Sequence, residues 1–115
     1  HLLGEPRYLA AAEKTLLLFW SHLRQSPAGF GSLLAALEEA LTPPEIIVLR
    51  GPTDQFAEWQ TTLGADPRRM VLALPNGLAG LPRALDKPES DRVNAWGCRG
   101  VTCSAPTANI DDLIN

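Results

Sequence analysis

The sequence predicts an α/β fold, in which an N-terminal two-helix hairpin packs on a small three-stranded, mainly parallel sheet with flanking helices. Three observations predict it. Residues 7–25 and 26–42 each place apolar side chains at helical spacing, residues 46–49 are all aliphatic, and a second apolar run follows at 69–74. A strand, a helix and a second strand within about 30 residues favour a right-handed βαβ unit with parallel strands.

The predicted domain organisation is a helical hairpin over 1–42 and a small βαβ-type unit over 43–115, together forming one compact domain. A chain of 115 residues suits a single domain. Such a domain buries roughly two-thirds of its unfolded surface.

The first helix carries an apolar stripe, formed by Tyr8, Leu9, Ala12, Leu16, Phe19, Trp20 and Leu23. Leu17 and Leu18 lie outside this stripe. They are either tolerated surface leucines or the contact site for a neighbouring domain. The chain begins at His1 without an initiator methionine, which we interpret as a piece of a longer protein and which favours the second alternative.

Proline residues mark the limits of the second helix. Ser26 is expected as its N-cap with Pro27 at the first helical position, and Pro43-Pro44 ends it. The aliphatic strand over 45–50 follows. Because it is apolar on both faces, it should be a central strand that is covered on both sides.

The third helix is expected to bury Phe56, Trp59 and Leu63, and Gly64 is expected to end it in a left-handed conformation. A buried strand over 69–74 comes next. Further predicted elements are a third strand at 92–98 and a short helix at 108–114.

Charge and hydropathy exclude two classes of partner. The net charge is −3 and no run of lysine or arginine occurs, so we expect no nucleic-acid partner. No apolar run approaches the roughly 20 residues of a membrane span, so we expect no membrane contact. Two cysteines without a signal sequence predict a reducing, cytoplasmic location.

Cys98 and Cys103 are separated by four residues in a glycine-containing turn. They form a possible redox pair, because the turn could bring the two thiols within disulfide range. The preferred interpretation is two structural thiols, since the helix-terminal redox motif has two intervening residues. A metal site lacks two further ligands nearby.

Gly51, Thr53 and Asp54 form a possible anion site, because parallel sheets bind ligands where strands end and helices begin. Capping of the helix is the preferred alternative, since no glycine-rich run or lysine accompanies them. No catalytic arrangement can be placed by spacing, and no cofactor or metal is expected.

The tail sequence AWGCRGVTCSAP at 95–106, followed by an Asp-Asp-Leu helix, resembles the C-terminal end of a family of large thioredoxin-domain-containing proteins related to the spermatogenesis-associated protein. The segments around 46–52, Trp59 and Leu81-Pro82 fit the same family in order. The resemblance implies a parent chain with a thioredoxin-like domain and an (α/α)₆ toroid similar to six-hairpin glycosidases.

Under this resemblance, residues 1–42 are toroid helices, and the redox cysteines and any sugar-processing carboxylates of the family lie upstream. The chain is therefore expected to be a non-catalytic C-terminal module that contacts upstream domains through Leu17 and Leu18. Whether the parent protein is an enzyme stays open.

Overall fold

The structure is a computed structural model that describes residues 2–114, so His1 and Asn115 lie outside the described residues. Its helices and strands, in chain order, are α1 (Pro6–Gln25), α2 (Gly31–Leu41), β1 (Glu45–Gly51), α3 (Phe56–Leu63), β2 (Arg69–Pro75), β3 (Asn94–Arg99), β4 (Thr102–Cys103) and α4 (Asp111–Ile114). Single 3₁₀ turns, Pro27–Gly29 and Thr53–Gln55, lead into α2 and α3.

The chain divides into two compact units, and the boundary lies between Pro43 and Pro44. The first unit holds α1 and α2, and the second holds the sheet with α3 and α4. Between residues 2 and 114, the structure contains no helix with the length and apolar character needed to cross a membrane.

In the first unit, α1 starts at Pro6 with Glu5 as its N-cap, because the Glu5 carboxylate accepts from the Arg7 amide. The hairpin brings the His22 ring edge-on to Phe30, with the ring centroids 6.4 Å apart. Such tilted aromatic contacts are the favoured geometry. The expected helical hairpin is therefore present within this unit.

The sheet has the strand order β2-β1-β3-β4, with β1 in its interior. β1 and β2 are parallel, and Ile47 lies opposite Val71, as the aliphatic runs predict. The prediction of three mainly parallel strands is wrong in detail, since β3 pairs antiparallel with β1, β4 pairs antiparallel with β3, and the sheet is a mixed four-stranded one.

The reversal of β3 follows from the path of the chain after β2. The Asn76 amide donates to the Gly51 carbonyl, and the Gly77 amide donates to the Glu89 carboxylate, so this connection stays at the edge where β1 and β2 end. β3 therefore starts at that edge, with Asn94 opposite Arg50, and must run back against β1.

Alternate residues of β1 reach two separate apolar layers, as the period of a strand requires. Ile47 and Leu49 pack against α3, whose buried side chains are Phe56, Trp59 and Leu63. Ile46 and Val48 pack on the other face against Trp96, Cys98 and Leu85. The segment between β2 and β3 packs on this second face through Leu85.

Candidate functional site

The last two strands form a tight hairpin at one end of the sheet. Arg99 lies opposite Thr102, so Gly100 and Val101 make a two-residue turn. Gly100 has a φ of 59°, and a positive φ at the first turn position is typical of a type II′ hairpin turn. A side chain with a β-carbon disfavours this conformation, which explains the glycine.

This register places Cys98 directly opposite Cys103, and the two residues are joined by a disulfide. Their Cα atoms are 4.0 Å apart. The sequence favours two structural thiols and leaves open that the turn brings them within disulfide range; the structure has them bonded to each other. In a two-residue hairpin, the residues that flank the turn at a separation of five face each other on one side of the sheet.

The two sulfurs lie in different surroundings. Cys98 is 6% exposed and belongs to the apolar layer of Ile46, Val48 and Trp96. Cys103 packs against the rim of the same layer but is only partly buried. An external thiol therefore has easier access to Cys103 than to Cys98.

Lys87 completes this site, although nothing in its sequence neighbourhood predicts a role. Its ammonium Nζ lies 3.4 Å from Cys103 Sγ and 5.9 Å from the centroid of the Trp96 ring. The aromatic face attracts the cation and holds it beside the sulfur. A cation at this distance favours the thiolate form of a cysteine once the disulfide is opened.

On the opposite face of the sheet, a charged row crosses the beginnings of β1 and β2 and the end of β3. The Arg69 guanidinium lies 3.0 Å from the Glu45 carboxylate, and the Arg99 guanidinium lies 3.6 Å from it. These residues line an open cleft of about 520 Å³, which Gly97 and Cys103 also border. Two guanidinium groups thus share the Glu45 carboxylate, and the Arg69 guanidinium also donates to the Leu113 carbonyl.

The possible anion site lies at the other end of β1. Ile46 pairs with Cys98, whereas Gly51 ends the strand five residues later, about 16 Å away. The structure therefore does not bring the two predicted sites together. Thr53 and Asp54 lie in the 3₁₀ turn before α3. An anion site there stays a prediction.

Gly51 has a packing role that the sequence did not reveal. Its φ is 155°, and a β-carbon at this position would lie 2.9 Å from both the Arg92 carbonyl oxygen and the Val93 Cα. Only glycine allows the incoming strand to pass so close. The glycine at the end of β1 is thus explained without a ligand.

Arg50 is a buried charged side chain of the sheet unit, and no local sequence pattern indicates its burial. It is 2% exposed, and its Nη2 lies 2.7 Å from a Glu89 carboxylate oxygen. Nη2 is also 3.4 Å from the Leu78 carbonyl, whereas Nε and Nη1 have no hydrogen-bond partner among the described residues. The 39-residue separation of Arg50 and Glu89 hides the pair from local sequence patterns.

Within residues 2–114, no group of three or more histidine, cysteine, aspartate and glutamate side chains has a geometry that could hold a metal ion. Comparison with models of known protein families, with curated proteins and with solved structures finds no match to this chain. The resemblance of the tail sequence to the thioredoxin-domain-containing family therefore stays an expectation from the sequence.

Proposed function

We propose that this chain is a non-catalytic structural and interaction module, the C-terminal part of a large thioredoxin-domain, glycosidase-like protein. Its partner is the upstream part of the same protein, which it contacts through Leu17 and Leu18. The observation that carries this proposal is the exposure of these two neighbouring leucines, which are 71% and 73% exposed.

Two features of α1 support the assignment. Leu17 and Leu18 are consecutive residues near the middle of a 20-residue helix, and Trp20 is also exposed. Burying a leucine side chain contributes about 1.5–3 kcal/mol, so covering both leucines would stabilise a complex substantially. Contiguous exposed apolar surface commonly marks a protein–protein contact.

The tail motif supports the identity of the parent protein, because the resemblance of residues 95–106 extends to the short helix that follows. The activity of that parent and any role in carbohydrate metabolism are further proposals that rest on the same motif.

The test uses the full parent chain with glutamate at Leu17 and Leu18, and Ser21→Glu as the control on the same helix. Ser21 is exposed and polar, so its substitution adds charge without removing an apolar contact. Leu17→Glu/Leu18→Glu should lower the melting temperature of the parent protein by several degrees and speed proteolysis near Pro43-Pro44, whereas Ser21→Glu should change neither. Equal behaviour of the two variants would refute the contact.

A second function, a thiol redox element using Cys98 and Cys103, is favoured by the disulfide and the ammonium beside it. Thiol titration of the native chain tests it. Treatment with millimolar glutathione should release two titratable thiols without unfolding, and glutathione disulfide should remove them again. Resistance of the folded chain to reduction would end this candidate.

The cytoplasmic location that we propose restricts the choice between these functions. A disulfide in a reducing cytosol is usually transient and takes part in redox chemistry, whereas a permanent one belongs to an oxidising compartment. If the chain is cytoplasmic, the Cys98–Cys103 bond therefore fits a pair that opens and closes better than a fixed structural link.

A further inference from the structure

The Cys98–Cys103 disulfide is asymmetric in access and in charge. Cys98 lies within the apolar layer, next to Trp96, whereas Cys103 is partly exposed and has the Lys87 ammonium at 3.4 Å. Attack on a disulfide requires an approach to one sulfur, and the other sulfur leaves with the electron pair. The surroundings therefore assign different chemistry to the two cysteines.

We propose that Cys103 is the sulfur that exchanges with external low-molecular-weight thiols and disulfides, that Cys98 is the resolving sulfur, and that Lys87 is the positioning residue that stabilises the Cys103 thiolate. This assignment rests on the redox function proposed above. It adds a residue that the cysteine motif does not contain, and it gives the two cysteines an order of reaction.

In the reducing direction, an external thiol first loses its proton to solvent and attacks Cys103 Sγ as a thiolate. A new sulfur–sulfur bond forms to Cys103, the bond between the two cysteines breaks, and its electron pair goes to Cys98 Sγ, which takes up a proton. A second external thiolate then attacks the external sulfur of this mixed disulfide. The products are the external disulfide and a Cys103 thiolate beside the Lys87 ammonium.

The reverse reaction oxidises the pair with an external disulfide as the two-electron acceptor. The Cys103 thiolate attacks the external disulfide and expels one external thiolate, and the mixed disulfide forms on Cys103. Cys98 then loses its proton to solvent and attacks Cys103 Sγ, which releases the second external thiolate. Electrons and protons balance in both directions, because each external disulfide consumed yields two thiols.

The position of Lys87 is well defined by its neighbours. The Trp96 ring lies under the ammonium, and Leu85 packs into the same apolar layer two residues earlier. Cys98 and Ile46 are paired across the strands, and the charged residues next to them are Arg99 and Glu45. These two side chains project to the opposite face, because side chains alternate along a strand. Asp86 precedes Lys87 in the chain. Among residues 2–114, Lys87 is therefore the cation whose charged group lies beside the disulfide.

The first experiment maps the mixed disulfide on the wild-type chain. The native protein is exposed briefly to glutathione, quenched with acid and digested with trypsin. Because trypsin cleaves after Arg92 and Arg99, the two cysteines fall on different peptides. The adduct should lie on the peptide 100–115, which contains Cys103, in at least about tenfold excess over the peptide 93–99, since accessible sulfurs exchange faster than buried ones. Equal labelling, or labelling of 93–99, overturns the assignment.

The second experiment tests Lys87 with single-cysteine chains. The rate at which iodoacetamide alkylates Cys103 is measured from pH 6 to pH 10. Three chains are compared: Cys98→Ser, Cys98→Ser with Lys87→Gln, and Cys98→Ser with Lys14→Gln. Lys14 is the other lysine of the chain and lies exposed on α1. Lys87→Gln should slow alkylation several-fold near pH 7, with the rates converging near pH 10, where most of the thiol is ionised in every variant.

The controls separate this assignment from the redox function itself. Lys14→Gln should leave the pH profile of alkylation unchanged. Cys103→Ser, which keeps Cys98, should be alkylated more slowly than Cys98→Ser. Circular dichroism verifies that each variant is folded. Identical profiles for Lys87→Gln and Lys14→Gln remove Lys87 from the proposal. A native disulfide that glutathione reduces, but with the adduct on Cys98, overturns the roles while the redox function stands. A disulfide that opens only on unfolding overturns both.

Discussion

The guanidinium of Arg50 is buried in the sheet unit, and its ion-pair partner Glu89 reaches it from the surface. The two charged groups are 2.7 Å apart, although Arg50 is 2% exposed and the Glu89 side chain is 51% exposed. Glu89 also accepts a hydrogen bond from the Gly77 amide at 2.7 Å. One surface carboxylate therefore fixes the β2–β3 connection and balances a buried cation.

This relationship predicts an unequal response to substitution of the two partners. Glu89→Gln should destabilise the chain, because it leaves the buried Arg50 charge without its counterion. Arg50→Met should lower the free energy of unfolding less than Glu89→Gln does, since it removes the charge together with two nitrogens that lack hydrogen-bond partners. Urea unfolding of both single variants and of the double variant measures this; the double variant should match Arg50→Met. A larger loss in Arg50→Met than in Glu89→Gln would contradict the interpretation.

Glu89 also makes stability depend on pH. The hydrogen bond from the Gly77 amide, with help from the Arg50 guanidinium, holds the pKa of Glu89 below its ordinary value of 4.5. A carboxyl with a depressed folded-state pKa contributes stability that is present above the unfolded pKa and lost as the pH falls through the folded pKa. Stability should therefore decline below about pH 4.5.

Urea titrations between pH 7 and pH 2 test this decline, and Glu89→Gln should flatten it. Asp66 provides a comparison with a separate window. Its hydrogen bonds with Arg68 lower the pKa of Asp66 from 3.8 to about 2, so Asp66→Asn should flatten the curve only between those two values. An unchanged slope in Glu89→Gln below pH 4.5 would remove Glu89 as the acid-sensitive group.

The disulfide predicts a modest local stabilisation. It closes a loop with a sequence separation of only five, and chain-entropy reasoning gives about 2 kcal/mol for so short a loop. Reduction should lower the unfolding free energy by about this amount and speed amide exchange in the hairpin 98–103. The Cys98→Ala/Cys103→Ala chain should not respond to reductant. Complete unfolding on reduction would show that the bond holds the sheet as a whole.

Gly51 predicts a large effect for a small substitution. Gly51→Ala places a methyl group 2.9 Å from the Arg92 carbonyl oxygen at a φ of 155°, so it should cost about 1–3 kcal/mol. Gly97→Ala on β3 is the matched control, because its β-carbon would meet only ordinary contacts of 3.5 Å or more. Thermal unfolding should separate the two, and equal melting temperatures would indicate that the β3 entry moves without cost.

The parts of the fold that depend on local patterns were predictable from the sequence. The aliphatic run of β1, its parallel partner β2 and the buried side of α3 all follow from periodicity and short connections. Gly64 was only half predictable. It ends α3, but its φ is −73° and not left-handed, because the helix closes with a bond from the Gly64 amide to the Gln60 carbonyl.

The rest depends on contacts between residues far apart in the chain. The direction of β3 is set by the path of residues 76–93, where glycine and proline leave several routes open. The contact of Lys87 with Cys103 spans 16 residues, and that of Arg50 with Glu89 spans 39. Neither contact has a spacing that a helix or a hairpin would impose, so no periodic pattern reveals it.

The interior position of β1 has a consequence for biosynthesis. The strand is complete at Gly51, but its antiparallel neighbour starts only at Asn94. While the ribosome adds the intervening residues, the aliphatic strand β1 lacks its β3 partner, so one of its hydrogen-bonding edges is unpaired. Unpaired strand edges favour aggregation. Newly made chains should therefore need chaperone protection until translation has passed β3.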